Sequence, residues 1–290
     1  MLNLVFFYQP LKGFSILKAQ KNKPRSNLSY CGELVRCNDR DRFLQSMFFP
    51  ADIREDLWVL FAFNHEIAKT REVVSDSNLG LIRLQWWRDE IKKIYDQGAV
   101  TDHEILKPLS TAIKKYNLPR EHFDKLLYAR EFDLEDVLPA NLEGLMNYAD
   151  FTTQPLFRLA LIITGADSDL EVVQPIAVNY ALAGILRSTG YFSRQNRFLL
   201  PEDLMNKYSI TKESFFDEEN SESLKSIVKE IVESRLAILN SDNIFLKSAQ
   251  AISGIYFKQI ESLDYDVLSS AIKREPSLKV FRVFWKTKIL

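Results

Sequence analysis

The chain has 290 residues, of which 46% are hydrophobic, so it is long enough to bury a substantial core. Its 38 basic and 39 acidic residues give a net charge of −1, which excludes a general electrostatic attraction to nucleic acid. Only 9 glycines are present, and neither a G-x-G-x-x-G nor a G-K-[ST] motif occurs, so the usual phosphate-binding loops are excluded.

Residues 1–28 differ from the rest of the chain because they are basic and contain no acid. Four lysines and one arginine lie among apolar residues, and the first acid of the chain is Glu33. Such a segment is typical of an organelle-targeting peptide or of a loose N-terminal arm, and the sequence leaves both interpretations open. We predict that it is separate from a single folded domain that covers residues 29–290.

After residue 28 the hydrophobic pattern is helical, and no convincing alternating strand pattern occurs. Ser221 is a plausible N-cap, and the prolines, spaced at helix-length intervals, are predicted in loops and first turns. No apolar run reaches the roughly 18 residues that a membrane-spanning helix requires. The pattern therefore predicts a single all-α domain. Three apolar stripes support it: Leu57, Leu60, Phe61, Asn64 and Ala68; Leu84, Trp87, Ile91, Ile94 and Tyr95; and Leu224, Ile227, Val228, Ile231 and Val232.

The segment ILRSTGYFSRQNRFLLPEDL, residues 185–204, resembles the squalene/phytoene synthase motif N-I-L-R-D-V-x-x-D-x-x-x-G-R-x-Y-L-P-x-D-L. It aligns without a gap, and Arg187 and Arg197 match the two arginines of that motif. FAFNHEIAKTRE, residues 61–72, takes the place of the family's first motif, in which Y-A-F precedes D-D-x-x-D. Further matches lie in residues 129–136 and 142–161. The resemblance implies an isoprenoid-synthase-like helical bundle around a central cavity.

The departures from these two motifs concern the acids. An enzyme of this kind needs Mg²⁺ between the protein and a diphosphate, and such hard cations need carboxylate oxygens. Ala68 and Lys69 occupy the positions of the leading aspartates in the first motif, where only Glu72 is still acidic. Ser188 and Phe192 occupy the positions of the two aspartates in the second. Because these acids are missing, the resemblance implies a protein with no catalytic residue, no metal site and no cofactor.

Three acids near the first motif leave an alternative open. An active transferase that joins two prenyl diphosphates would need Mg²⁺ and another metal site, for which Glu66, Glu72 and Asp76 are the candidates. Glu66 is not four residues away from either of the others, so the three do not form a regular helical clamp. We interpret Glu66 and Glu72 as solvated or salt-bridged helix acids.

Arg187, Arg194 and Arg197 are the candidate ligand-binding residues. Arginines hold phosphoryl oxygens in bidentate fashion, so a pocket that lost its metals can still bind a lipid phosphate or a prenyl diphosphate. Structural arginines in ion pairs near a helix end would give the same pattern, and both interpretations stay open. Trp86 is the candidate partner-binding residue because tryptophan is enriched in binding hot spots, whereas Trp87 falls on a core stripe.

Within the family, the chain more narrowly resembles the branch that acts in assembly of respiratory complex I, the NADH dehydrogenase. The match lies in residues 29–55, in FNHEIAK (63–69) and in GLIRLQWWRDEIKKIY (80–95). The resemblance implies a non-catalytic protein whose partners are complex I subunits or other assembly factors. It also implies a place peripheral to the inner membrane, in a bacterial cytoplasm or on the matrix side of a mitochondrion. The alternatives are the active transferase and a prenyl-lipid-binding module.

Overall fold

The computed structural model describes residues 27–135, 137–167, 169–238 and 241–288. Within these ranges the chain forms α-helices and two short 3-10 helices and no β-strand, which confirms the predicted all-α class. The predicted N-terminal segment, residues 1–28, lies outside the described residues except for Asn27 and Leu28.

Most of the helices follow one another with short connections, and the longest connection, residues 263–278, precedes the last helix. In chain order they are α1 (Tyr30–Asn38), α2 (Arg40–Ser46), α3 (Ala51–Ala68), α4 (Thr70–Val73), α5 (Ser77–Gln97), α6 (Leu106–Tyr116), α7 (Arg120–Phe132), α8 (Leu142–Ile163), α9 (Leu170–Ser193), α10 (Glu202–Lys207), α11 (Ser221–Glu233), α12 (Ile244–Ser262) and α13 (Lys279–Lys288). The 3-10 helices are Glu218–Asn220 and Ser270–Lys273.

Helix α5 shows how the sequence sets these elements. Its first turn is capped by Asp76, whose carboxylate accepts hydrogen bonds from the backbone N–H groups of Asn78 and Leu79 at 2.9 and 3.1 Å. It ends at Gly98, which has a φ of 65°. The predicted stripe is confirmed in the core: Leu84, Trp87, Ile91 and Ile94 are buried.

Two local predictions were wrong. Ser221 is the first residue of α11 and not its cap, because the 3-10 turn at Glu218–Asn220 leads directly into the helix. Pro155 lies inside α8, and Pro175 lies beyond the first turn of α9. A proline inside a helix removes one backbone hydrogen bond, but both helices bury long apolar faces that favour the helical path nonetheless.

Helices α8 and α9 pack along each other and form the middle of the bundle. Helix α7 covers α8 on one side, and α12 covers α9 on the other. Two large apolar clusters fill the spaces between these layers. Among the described residues, none of the helices has the length and apolar character that crossing a membrane requires.

Candidate functional site

The first motif lies where α3 ends. Ala68 is the last residue of α3, Lys69 lies at the junction with α4, and Glu72 belongs to α4. Glu72 is exposed, whereas Ala68 and Lys69 are half-buried. The methyl group of Ala68 offers no oxygen to a cation. The only acid that the motif retains is therefore at its solvent-facing end.

Glu66, one turn before this junction, is held by two cations. Its carboxylate accepts from Lys69 Nζ at 2.5 Å and from the guanidinium of Arg83, on α5, at 2.8 Å. The Glu66 side chain is only 12% exposed, so these bonds are largely shielded from water. A cation at this carboxylate would have to displace two positive charges. Lys69 and Arg83 thus supply the positive charge that balances the Glu66 carboxylate.

The second motif lies along the last turns of α9 and in the segment that follows. Ser188 and Phe192, four residues apart, are both half-buried. The ring of Phe192 lies under the guanidinium of Arg197, with 4.7 Å between the guanidinium carbon and the ring centre. Asn196 stands where the family motif has glycine and has a φ of 57°, a left-handed conformation that asparagine adopts more readily than most residues.

Arg197 binds a buried carboxylate that the sequence interpretation did not single out. Asp133, directly after α7, pairs with Arg197 and, at 3.3 Å, with Arg130. Tyr148 donates to the same carboxylate at 2.6 Å and accepts from Arg197 at 2.9 Å. The Asp133 side chain is 3% exposed. The sequence signal was the match at residues 129–136, but nothing local indicated which arginine the acid would meet.

The electrostatics of this cluster connect the two motifs. Burial raises the pKa of the Tyr148 hydroxyl, and the negative charge of Asp133 adds to that effect. Burial opposes the charge of Arg197, but Asp133, Tyr148 and Glu72 together raise the pKa of its guanidinium. Glu72 and Arg197, from the ends of the two motifs, are therefore electrostatic neighbours, although the acids that would form a metal clamp between the motifs are missing.

The other two candidate arginines have different partners. The guanidinium carbon of Arg187 lies 3.6 Å from the centre of the Tyr256 ring, and a terminal nitrogen donates weakly to the carbonyl of Ile272 at 3.4 Å. Its Nε is buried and has no hydrogen-bond acceptor among the described residues. Arg194 is exposed and donates to the carbonyl of Gly190 at 2.8 Å. The structure thus gives each of the three arginines separate partners.

The residues at the motif positions do not fit a magnesium site. Mg²⁺ prefers oxygen ligands in octahedral geometry, mostly from carboxylates and water. Asp76 caps α5, and Glu66 is neutralised by Lys69 and Arg83. Over the described ranges, no three histidine, cysteine or acidic side chains are grouped so that they could hold a metal ion.

Aromatic side chains connect α3 to α9. Phe61 of α3 stacks on Phe245 of α12 at 6.5 Å, and Phe245 meets Phe157 of α8 edge-on at 5.0 Å. Phe157 in turn contacts Tyr180 of α9 at 5.5 Å. Arg42 lies over the Tyr180 ring at 5.5 Å and binds Asp39 at 2.5 Å. A continuous set of packed rings therefore lies between the helices that carry the two motifs.

A pocket of about 620 Å³ opens elsewhere, beside α12. Polar, charged and apolar residues line it, and none of them belongs to either motif. The lining includes Asn179, Arg235, Lys247, Gln250, Phe257 and Lys286.

Trp86 lies on the outward side of α5. It is 38% exposed, and its ring packs edge-on against Trp87 at 4.9 Å and lies 5.8 Å from the ring of His103. Ile82 and Leu79, one and two turns earlier, are also exposed. We name Leu79, Ile82 and Trp86 the α5 apolar stripe. The stripe gives Trp86 apolar neighbours on the surface, whereas Trp87 is fully in the core.

Known proteins resemble this chain in sequence and in fold. It is 27% identical over 262 residues to "NADH dehydrogenase (ubiquinone) complex I, assembly factor 6" of Bos taurus, covering 86% of this chain and 78% of that protein. It is 24% identical over 225 residues to presqualene diphosphate synthase of Rhodopseudomonas palustris, covering 74% and 79%. The crystal structure of squalene synthase HpnC from Alicyclobacillus acidocaldarius superposes with a TM-score of 0.70 at 18% identity, over 81% of this chain and 93% of that one.

The structural likeness confirms the predicted isoprenoid-synthase-like fold. The model of the family described as squalene/phytoene synthase matches residues 35–274, a range that contains both motifs, the Asp133 cluster and the aromatic connection between α3 and α9. The chain therefore belongs to the squalene/phytoene synthase family.

Proposed function

We propose that this protein acts in the assembly of respiratory complex I and does not catalyse prenyl transfer. Two facts support the proposal. The relatives named complex I assembly factor 6 come from several animals and match along most of this chain. The motif positions that would need carboxylates are occupied by Ala68, Lys69, Ser188 and Phe192.

The observation that carries the non-catalytic part is the ion pairing of Glu66. In a metal-dependent site, carboxylates converge on a cation that bridges to the diphosphate. Here the half-buried carboxylate nearest to the first motif already binds two cationic side chains, Lys69 and Arg83. Two protein cations already balance the charge of this acid, which supports a function that needs no metal at this carboxylate.

Deletion of the gene in the native cell tests the assembly role. We expect the amount of assembled complex I, measured on native gels and by NADH–quinone reductase activity, to fall and to return with the wild-type gene. We expect Glu72→Gln to restore the complex as well as wild type does, because a non-catalytic protein does not need the remaining motif acid. Glu222→Gln, at an exposed acid of α11, is the matched control. Normal complex I in the deletion strain would overturn the assembly role.

The transferase alternative has its own assay. Purified protein is incubated with farnesyl or geranylgeranyl diphosphate and Mg²⁺, and released diphosphate is measured. We expect no release above a protein-free blank. Release that disappears in Glu72→Gln and persists in Glu222→Gln would show that the transferase chemistry survives with a different ligand set.

Binding of a prenyl diphosphate without metal is a second candidate function, favoured by one observation. The buried Nε of Arg187 lacks an acceptor among the described residues, and a buried donor without a partner is costly. We expect farnesyl diphosphate, added with a chelator, to raise the thermal midpoint of wild type, since a ligand that binds only the folded state stabilises it. The shift should be lost in Arg187→Gln and kept in Arg274→Gln, at an exposed arginine. No shift in wild type would reject this candidate.

We further propose that the α5 apolar stripe contacts the protein partner. Tryptophan is enriched among interface hot spots, and the exposed side chains of Leu79 and Ile82 extend the apolar area beside Trp86. We expect Ile82→Ser with Trp86→Ser to reduce co-purification of complex I subunits at least tenfold. Phe151→Ser, at an exposed aromatic residue of α8, should not. Equal recovery with both variants would show that the stripe is not the contact.

The proposed function also places the protein at the membrane surface that faces the bacterial cytoplasm or, in a mitochondrion, the matrix. This location is the one that the resemblance to the complex I assembly branch implies. The described residues contain no helix that could cross a membrane. We expect the protein in the membrane fraction of gently lysed cells and its release at high salt, because an electrostatic surface contact is screened.

A further inference from the structure

Helix α13 presents an apolar face to solvent. Its outward residues are Val280, Phe281, Phe284 and Trp285, which share one side of the helix at the spacing i, i+1, i+4 and i+5. Phe281 is 57% exposed and Trp285 is 45% exposed. Leu278, just before the helix, is exposed as well. A helix on a protein surface normally directs polar residues outward, so this face is the reverse of the expected pattern.

The helix is fixed in this orientation by the opposite side. Lys279 is buried and donates to Asp41 of α2 at 2.6 Å and to the Tyr256 hydroxyl of α12 at 2.9 Å. Val283 and Thr287, one and two turns later, are buried against the bundle. Rotation of α13 to hide its aromatic residues would break the Lys279 ion pair and expose Val283. The apolar face therefore stays outward.

Cations without counter-charges lie beside this face. Arg282, Lys286 and Lys288 belong to α13, and Lys258 lies on the neighbouring α12. No carboxylate among the described residues forms a salt bridge with any of the four, whereas Lys279 has two acidic partners. Arg282 and Lys286 are four residues apart on α13 and so lie on the same side of the helix. Partial burial, and then the charges of Lys258 and Arg282, lower the pKa of Lys286.

We infer that α13 is the surface by which this protein binds an anionic lipid bilayer, with the aromatic face in the headgroup region and the basic side chains on lipid phosphates. The inference rests on the proposed membrane location and deepens it by naming the contact. Exposed Trp and Phe residues beside unpaired Lys and Arg residues are the composition of helices that lie in a membrane interface. The charge favours a lipid surface as the occupant, because the phosphates of an anionic leaflet neutralise cations that no protein acid neutralises.

Vesicle binding by the purified full chain tests the inference. Co-sedimentation is measured with two kinds of vesicle. One contains phosphatidylcholine alone, and the other also contains roughly 30% phosphatidylglycerol, which makes its surface anionic. We expect binding to the anionic vesicles only, and weaker binding at high salt. Quenching of tryptophan fluorescence by brominated lipids reports depth, and we expect Trp285→Phe to remove most of the quenching while the protein still binds.

Two double variants on α13, each with a control, test whether this helix and not another surface binds the vesicles. All of them keep the basic N-terminal segment, so it cannot cause a difference between them. Phe281→Ser with Trp285→Ser should weaken anionic-vesicle binding by roughly tenfold or more, since each exposed aromatic residue adds apolar area to the contact. Tyr128→Ser with Phe132→Ser, at exposed aromatic residues of α7, is the matched control. Arg282→Gln with Lys288→Gln should weaken binding by roughly 25-fold, and Lys92→Gln with Lys229→Gln by much less.

Several results would overturn the inference. Equal vesicle binding by the α13 variants and wild type would place the membrane contact elsewhere, and an absence of binding by wild type would reject a lipid surface. Wild type could instead be a dimer that binds no vesicles. If Phe281→Ser with Trp285→Ser then made it a monomer, the face would be a contact between two copies of this chain. None of these results bears on the assembly role, which the deletion strain tests separately.

Discussion

At the scale of single residues, Asp133 is the charge centre that ties the end of α9 to α7 and α8. Its buried carboxylate binds Arg130, Arg197 and the Tyr148 hydroxyl. Removing one partner of a buried ion pair leaves the other charge uncompensated, which costs more than the pair itself contributes. Three groups depend on this one acid, so its replacement affects the end of the second motif as a whole.

We expect Asp133→Asn to lower the free energy of unfolding by about 3–5 kcal/mol, because it leaves two buried guanidinium groups without their counter-charge. Urea denaturation followed by circular dichroism measures the change. Asp102→Asn is the matched control, because that side chain is 90% exposed and, among the described residues, pairs only with Lys107. An equally small effect of both substitutions would contradict the view that the Asp133 cluster holds α9 in place.

At the scale of helices, the packing of α1 on α3 depends on a glycine. A Cβ atom added to Gly32 would lie 2.6 Å from Cε3 of Trp58, whose indole is itself held by a hydrogen bond from Nε1 to the Ser46 hydroxyl at 2.8 Å. Trp58 also stacks on Phe43 at 5.4 Å, so the ring is confined on both sides. The two helices can approach this closely only without a side chain at position 32.

Gly32→Ala should therefore lower the free energy of unfolding by about 1–3 kcal/mol, as overpacked core substitutions do. Gly184→Ala is the control, because it also adds one methyl group to a helical glycine, but the added Cβ meets no described atom within 4 Å apart from the nearby backbone of its own helix and its chain neighbours. The control should raise the stability by about 0.5–1 kcal/mol, since alanine favours a helix interior. Thermal and urea unfolding of both variants measure the difference in sign, and stabilisation by Gly32→Ala would contradict the close approach.

At the scale of the whole molecule, stability should depend on pH through two histidines. Burial lowers the pKa of His65 and of His122 below the ordinary value of 6.5. The unfolded chain then binds protons at a higher pH than the folded chain, so acidification favours unfolding. The contribution of these two histidines to the free energy of unfolding is fully present above pH 6.5. It is lost as the pH falls from 6.5 through the folded-state pKa values.

We expect the thermal midpoint of wild type to fall between pH 7.5 and pH 5.5, a window above the range in which most carboxylates titrate. His65→Gln combined with His122→Gln should flatten this part of the profile, because the groups that bind protons on unfolding are gone. Scanning calorimetry at three or four pH values measures both profiles. A profile of the double variant that is as steep as that of wild type would assign the dependence to other groups.

Much of the architecture was predictable from the sequence because it depends on local patterns. The helical stripe that contains Leu84, Trp87 and Ile91 follows from a period of 3.6 residues, and all three are buried. The boundary at Ser221 and the position of Pro155 were wrong because each depends on what surrounds the helix. The Asp133 cluster was not predicted, since Arg197 lies 64 residues away and only packing brings the two together.

The sequence by itself determined the helices, the family and the absence of carboxylates at four motif positions, because residue type and spacing are local properties. Only the tertiary structure decided which charges meet: Lys69 and Arg83 on Glu66, and Arg130 and Arg197 on Asp133. It also decided which side of α13 faces solvent, because the buried Lys279 fixes that helix on residues far away in the chain. Contact partners depend on how the helices pack, and helical periodicity alone does not specify that.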